Sequence, residues 1–148
     1  MVLVKSVDGK GCGSWVGYQN GIQPLYLQRY GCMTTGTIQH EFLHALGIFH
    51  TQSRWDRDDY VNILRKNIKP DKEDNFHKFE DWEVTHYDLP YDYLSLMHYG
   101  KNDFSKDKAR LNTIEAKNPF WTDKIGQRDG VSIGDLNLVQ MHYGCPGR

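Results

Sequence analysis

His40-Glu41-Phe42-Leu43-His44-Ala45-Leu46-Gly47-Ile48-Phe49-His50 compresses a metal site into eleven residues. His40 and His44 stand four apart, so on an α-helix they share one face, one turn above the other. Both imidazoles can then reach a single ion at about 2.0–2.1 Å. Glu41 lies beside that ion without needing to ligate it, which is where a general base acting on a water belongs. Gly47 can take the left-handed conformation that ends a helix, and the turn it permits brings His50 in as a third nitrogen. Three nitrogen ligands leave one coordination position open to water, the mark of a catalytic zinc rather than a structural one. A helical His pair alone is a weak signal; the Glu, the Gly and the third His at set places leave little room for chance. Phe42, Leu43, Ala45 and Leu46 supply the apolar body of a buried helix, expected over roughly Thr37 to Leu46.

Downstream, Met-His-Tyr-Gly occurs twice, at 97–100 and at 141–144. The second copy ends a segment in which Ser132 and Asp135 have the spacing of an N-cap with a capping box. Ile133, Leu136, Val139 and Tyr143 follow at helical spacing. This predicts a terminal helix from near Ser132 that buries Tyr143 and turns His142 outward. The first copy lies in Tyr91-Asp92-Tyr93-Leu94-Ser95-Leu96-Met97-His98-Tyr99, an aromatic-rich stretch with no helical period. On the residues alone, Tyr99 reads equally well as a core aromatic or as a metal ligand.

The pattern at 40–50 is the metzincin signature, which is accompanied by a downstream Met-turn. Further stretches carry a narrower likeness: Arg54-Trp55-Asp56-Arg57-Asp58-Asp59-Tyr60-Val61, Tyr91-Asp92-Tyr93-x-Ser95-x-Met97-His98-Tyr99, Gly11-Cys12-x-Ser14-Trp15-Val16-Gly17, Gly31-Cys32 and Ile125-Gly126-Gln127-Arg128. With them the chain resembles the astacin family of metzincins from about Gly11 to Cys145. The resemblance implies a secreted zinc endopeptidase that hydrolyses internal peptide bonds of extended protein or peptide substrates. It implies one Zn2+ held by His40, His44, His50 and Tyr99, with Glu41 and Tyr99 as catalytic residues. Met97 would be the Met-turn methionine, and Tyr99 would leave the metal to hydrogen-bond the oxyanion. It also implies a Cys12–Cys32 disulfide. The expected fold is α+β and zincin-like, a single domain over 1–148. Its upper part, 1–50, would hold a partial sheet and the zinc-binding helix. Its lower part, 51–148, would be mostly irregular, with the Met-turn and the C-terminal helix. An extended substrate would add to a sheet edge strand within Gly21 to Leu27.

Two departures from the family stand out. Its last cysteine, matched by Cys145, pairs with one near the start of the domain, and neither that partner nor the first strands and helix have counterparts here. The chain is therefore expected to be an N-terminally truncated domain, marginally stable, with an exposed apolar sheet face; a propeptide or further domains would lie outside it. Thr51 stands where the family carries a Glu that receives the new amino terminus after propeptide removal, which leaves zymogen activation unread. A catalytically impaired zinc-binding or interaction domain is the competing reading; an intact Glu41 argues against it.

Composition agrees with one globular domain: 148 residues, 39% apolar and 25% charged, with a mean hydropathy of −0.69. A formal net charge of −1 gives no electrostatic reason to expect nucleic acid, and no apolar run is long enough for a membrane span. Three cysteines and the implied disulfide place the chain in an extracellular or secretory setting. Asn20-Gly21 marks a turn in a hairpin-like segment, Val16 to Leu27. His98 reads as a hydrogen-bonding or structural residue, and His77 and His86 as solvated. Arg54, Asp56, Arg57 and Asp58 read as a buried or half-buried ion-pair network. Trp15, Trp55, Trp82 and Trp121 fit core, cleft wall or surface equally.

Overall fold

The computed structural model describes residues 1–145. They divide into two compact units, residues 1–49 with 128–145, and His50–Gln127. The last helix was expected to belong with the lower half; it groups with the first unit. Gly36 shows why: its backbone lies so close to Arg128 that a Cβ would overlap the Arg128 carbonyl. Tyr143 also donates its hydroxyl to the Leu46 carbonyl at 3.2 Å.

The first unit begins with a three-stranded sheet in the order β1–β3–β2, comprising β1 (Val2–Lys5), β2 (Cys12–Ser14) and β3 (Gln23–Leu27). β2 and β3 pair antiparallel, with Cys12 opposite Leu27 and Ser14 opposite Leu25, so the first strand lies before the expected segment Val16 to Leu27 and the connection is longer than a tight hairpin. Asn20 has φ 53°, in the left-handed region that a tight turn requires. β1 runs parallel to β3, Val2 opposite Gln23. β3 is therefore the central strand, and the edge strand expected within Gly21 to Leu27 is not an edge; β1 and β2 are. Along β3, Gln23, Leu25 and Leu27 are buried in alternation. Leu25, Leu27 and Cys32 form a small core against which Ile38 and Ala45 pack.

α1 (Thr35–Ala45) starts two residues before the sequence expectation. Thr34 caps it, its hydroxyl accepting the Thr37 N–H at 3.2 Å. Its buried residues, Gly36, His40, Glu41, Leu43 and His44, recur at helical spacing. α2 (Ile133–Tyr143) has the foreseen capping box between Ser132 and Asp135. Its expected packed face is not packed: Ile133, Leu136 and Tyr143 are exposed, and Asp135 is its buried residue. His142, although exposed, lies against Gly47.

The second unit is mostly irregular, as expected. Its regular elements are short 3-10 helices, the longest Pro70–Phe76, and a two-stranded antiparallel sheet of β4 (Val61–Ile63) and β5 (Ile114–Ala116). Val61, Ile68, Phe76, Tyr91, Tyr99, Ile114 and Ile125 form its core. Side chains bonded to main-chain carbonyls replace the missing ladders. Arg57 donates to the carbonyls of Gln52 and Phe76, Arg54 to Leu89 and Pro90, and Asn67 to Asn112. Among the described residues, no helix is long and apolar enough to cross a membrane.

Candidate metal centre

α1 places His40 and His44 one turn apart, with ring centroids 4.7 Å from each other and planes at 88°. The helix ends at Leu46, whose N–H bonds the Phe42 carbonyl at 2.9 Å. Gly47, at φ 92°, then makes the turn that a side chain would strain. Three residues later comes His50. One ring nitrogen from each of His40, His44 and His50 lies within 4.8 Å of the others, a group able to hold a metal ion.

The donor set suits zinc in its chemistry as well as its spacing. His44 Nδ1 lies 2.8 Å from the Ile48 carbonyl oxygen. A carbonyl only accepts, so Nδ1 carries the proton and Nε2 keeps its lone pair for a metal. Burial also pushes the His44 pKa down, a shift that Arg128 reinforces and the Ile48 bond opposes, so the ring favours the neutral state that ligation needs.

Glu41 is 6% exposed. Burial pushes its carboxyl up to about 7, while Arg128 pulls it down. Its Oε2 is buried with no hydrogen-bond partner. A buried acceptor without a donor is costly, and one placed next to a metal ligand is equipped to take a proton from water. Three imidazole nitrogens and this stranded acceptor fit a zinc ion with an activated water.

Within the second unit, Tyr99 sits beside the third histidine, the His50 and Tyr99 rings 4.5 Å apart at 56°. Tyr99 is 8% exposed, and Phe76 and Phe104 wall its ring at 5.8 and 5.4 Å. It is a core aromatic that also neighbours His50. Met97 is fully buried. Its N–H bonds the Ser95 hydroxyl at 3.0 Å, and its carbonyl accepts the Thr51 N–H at 3.1 Å. Thr51 also donates its hydroxyl to that of Ser95 at 2.8 Å, so the residue that departs from the family pattern ties the 3-10 turn after His50 to the segment carrying Met97.

Some side chains lie where the sequence placed them and others do not. Cys12 and Cys32 are joined, linking β2 to the loop before α1, and Cys145 is free and exposed. Arg54 and Asp56 form a mostly buried ion pair at 2.7 Å, and Arg57 is buried. Asp58 stays exposed and is shared with Lys78. His77 is exposed, as expected. His86 is half-buried instead of solvated, stacked on Trp55 at 5.5 Å, with Nδ1 unpartnered. Trp15, Trp55 and Trp82 are exposed. Sequence reasoning missed Gln52, which is wholly buried and whose Oε1 accepts the Tyr99 N–H at 3.0 Å. Its position two residues after a ligand was the only signal available.

A helix-borne His-Glu-x-x-His, a third histidine after a glycine turn, and a buried methionine turn with its tyrosine define a metzincin. The model of the peptidase family Astacin matches residues 2–144, so the chain belongs to the astacin family. Meprin A subunit alpha of Rattus norvegicus is 46% identical over 135 residues, 91% of this chain and 18% of the relative. Zinc metalloproteinase nas-4 of Caenorhabditis elegans is 40% identical over 138 residues, 93% of this chain and 42% of the relative. The solved structure of High choriolytic enzyme 1, a hatching enzyme zinc-protease from Oryzias latipes, superposes with a TM-score of 0.89 at 42% identity, covering 98% of this chain and 69% of that one. The chain thus spans less than half the length of the first two relatives.

Proposed function

We propose that this chain is a zinc-dependent endopeptidase acting on internal peptide bonds, with His40, His44 and His50 as zinc ligands, Tyr99 as a fourth, and Glu41 as general base. The observation that carries the reading is the three-histidine group with the unpartnered, buried Glu41 Oε2 one residue from a ligand. A zinc ion held there supplies Lewis acidity and lowers the pKa of its water to about 7.

Glu41 takes the water's proton and returns it to the leaving amine. Its elevated pKa suits both halves of that transfer near neutral pH. The Tyr99 hydroxyl donates to the oxyanion that develops on the scissile carbonyl. The substrate is an extended peptide segment. β2 supports its recognition, because it is an edge of the sheet and offers main-chain groups to an added strand. The Cys12–Cys32 disulfide supports a secreted setting.

Glu41→Gln removes the base and leaves the three nitrogens in place. The purified variant should bind zinc stoichiometrically by elemental analysis and lose activity on casein by a factor on the order of 10²–10⁴. Undiminished digestion by Glu41→Gln would refute the base assignment. A parent chain that binds zinc and leaves casein intact would identify a non-catalytic zinc module instead.

A further inference from the structure

We infer that Gln52 and His98 are positioning residues that clamp the two peptide groups flanking Tyr99, so that the phenol acts from an immobile backbone. The inference rests on the reading of Tyr99 given above and extends it to two residues that have no part in that chemistry.

The Tyr99 N–H donates to Gln52 Oε1 at 3.0 Å. The Tyr99 carbonyl accepts from His98 Nδ1 at 2.7 Å. A carbonyl cannot donate, so His98 Nδ1 bears the proton, and in the neutral ring Nε2 accepts from the Tyr91 hydroxyl at 2.8 Å. Tyr91 is in turn stacked on Tyr60, ring centroids 4.5 Å apart and planes 12° from parallel. Gln52 and His98 are both wholly buried. Water is therefore excluded as a substitute partner for either peptide group.

The Gln52 side is braced further. Its own carbonyl accepts from Arg57 Nη1 at 2.9 Å, and the same nitrogen reaches the Phe76 carbonyl at 2.7 Å. Phe76 sets its ring edge-on to Tyr99. Tyr99 N–H, Gln52, Arg57, Phe76 and the Tyr99 ring thus form a closed circuit within the second unit. Using Oε1 as the acceptor leaves Gln52 Nε2 buried without a partner. A core selected for stability alone would favour a side chain with no stranded donor at this place. The amide is instead the group that can meet the Tyr99 N–H without introducing a charge.

A donor that stabilises developing charge loses much of its value when displaced by even a fraction of an ångström. Gln52→Met removes the acceptor at similar length, and Gln52→Glu, which full burial favours in its neutral form, retains an oxygen there. His98→Leu removes the carbonyl partner, and His98→Asn keeps a donor nitrogen near the place of Nδ1. Each is made in the zinc-loaded chain with Tyr99 intact and again with Tyr99→Phe. Gln52→Met and His98→Leu should lower kcat on the order of tenfold with little change in KM, and Glu and Asn should restore most of it.

Against Tyr99→Phe, which itself lowers kcat on the order of 10²-fold, the same substitutions should have no further effect. A metal-independent readout is amide exchange at Tyr99, which should speed at least about tenfold in Gln52→Met. If Gln52→Met fails to fold, Gln52→Asn withdraws the acceptor by one methylene and serves in its place. Equal losses of kcat in both Tyr99 backgrounds would overturn the inference and make the pair merely structural. An unchanged kcat in Tyr99→Phe alone would instead overturn the role given to Tyr99.

Discussion

Glu41 shows how one buried side chain couples chemistry to stability. Its folded pKa of about 7 lies above the 4.5 of an unfolded glutamate, because burial disfavours the charge. The neutral form therefore stabilises the metal-free fold fully below pH 4.5, and that stabilisation is lost as pH rises through 7. His44 works in the opposite sense. Its pKa is lowered from 6.5, so its contribution is present above that value and lost as pH falls. The two overlap, and a difference measurement separates them. With zinc removed, the melting temperature of the parent minus that of Glu41→Gln should decline between pH 4.5 and 7.5, by an amount equivalent to a few kcal/mol at most. A flat difference by calorimetry would show that Glu41 is not desolvated in solution. At this scale the sequence was most informative. The ligand triad follows from helix geometry and one glycine, both local properties. Gln52, His86 and the bond between Thr51 and Ser95 were not legible, because each depends on a partner more than thirty residues away or on a cavity that no spacing reveals.

Elements were legible where their signals were local and illegible where pairing was distant. The turn before β3 was visible in Asn20-Gly21, although its partner strand β2 lies further upstream than expected, and α2 was visible in its capping box. The central position of β3 was not, because β1 joins it in parallel from some twenty residues upstream with no turn signal to mark the pairing. The face of α2 was misjudged because helical periodicity shows which residues share a side and not whether anything covers them. Two substitutions test the element-scale account. Ser132→Ala removes an N-cap acceptor that holds the Asp135 N–H at 2.9 Å, and should cost about 1 kcal/mol. Gly36→Ala should cost about 1–3 kcal/mol despite alanine's better helix propensity, because its methyl group meets the Arg128 carbonyl. Calorimetric melting checks both, and a stabilised Gly36→Ala would mean that α1 and residue 128 are not in close contact.

Across the whole molecule, the two units are held together internally by different means. The first relies on a small core, a three-stranded sheet and the Cys12–Cys32 bond. The second relies on a larger aromatic core and on side chains anchored to carbonyls. The bridged cysteines are 20 residues apart, so opening the bridge releases a loop whose closure stabilises by about 3 kcal/mol. The double substitution Cys12→Ser with Cys32→Ser should lower the melting temperature by several degrees. An unchanged melting point by calorimetry would show that β2 holds its place without the bridge. Composition and motif spacing disclosed the class of fold and the metal group early, whereas the affiliation of the last helix with the first unit depended on contacts across most of the chain.

The scarcity of regular ladders in His50–Gln127 affects how this protein will look to a spectroscopist. The two α-helices have eleven residues each, and the strands of the second unit only three. Far-ultraviolet ellipticity should therefore be weak and resemble that of a largely unstructured chain, although Phe76, Tyr91 and Tyr99 are tightly enclosed. Asymmetric packing of those rings should give strong near-ultraviolet bands instead, so foldedness in this molecule is better judged from its aromatic chromophores than from its peptide signal.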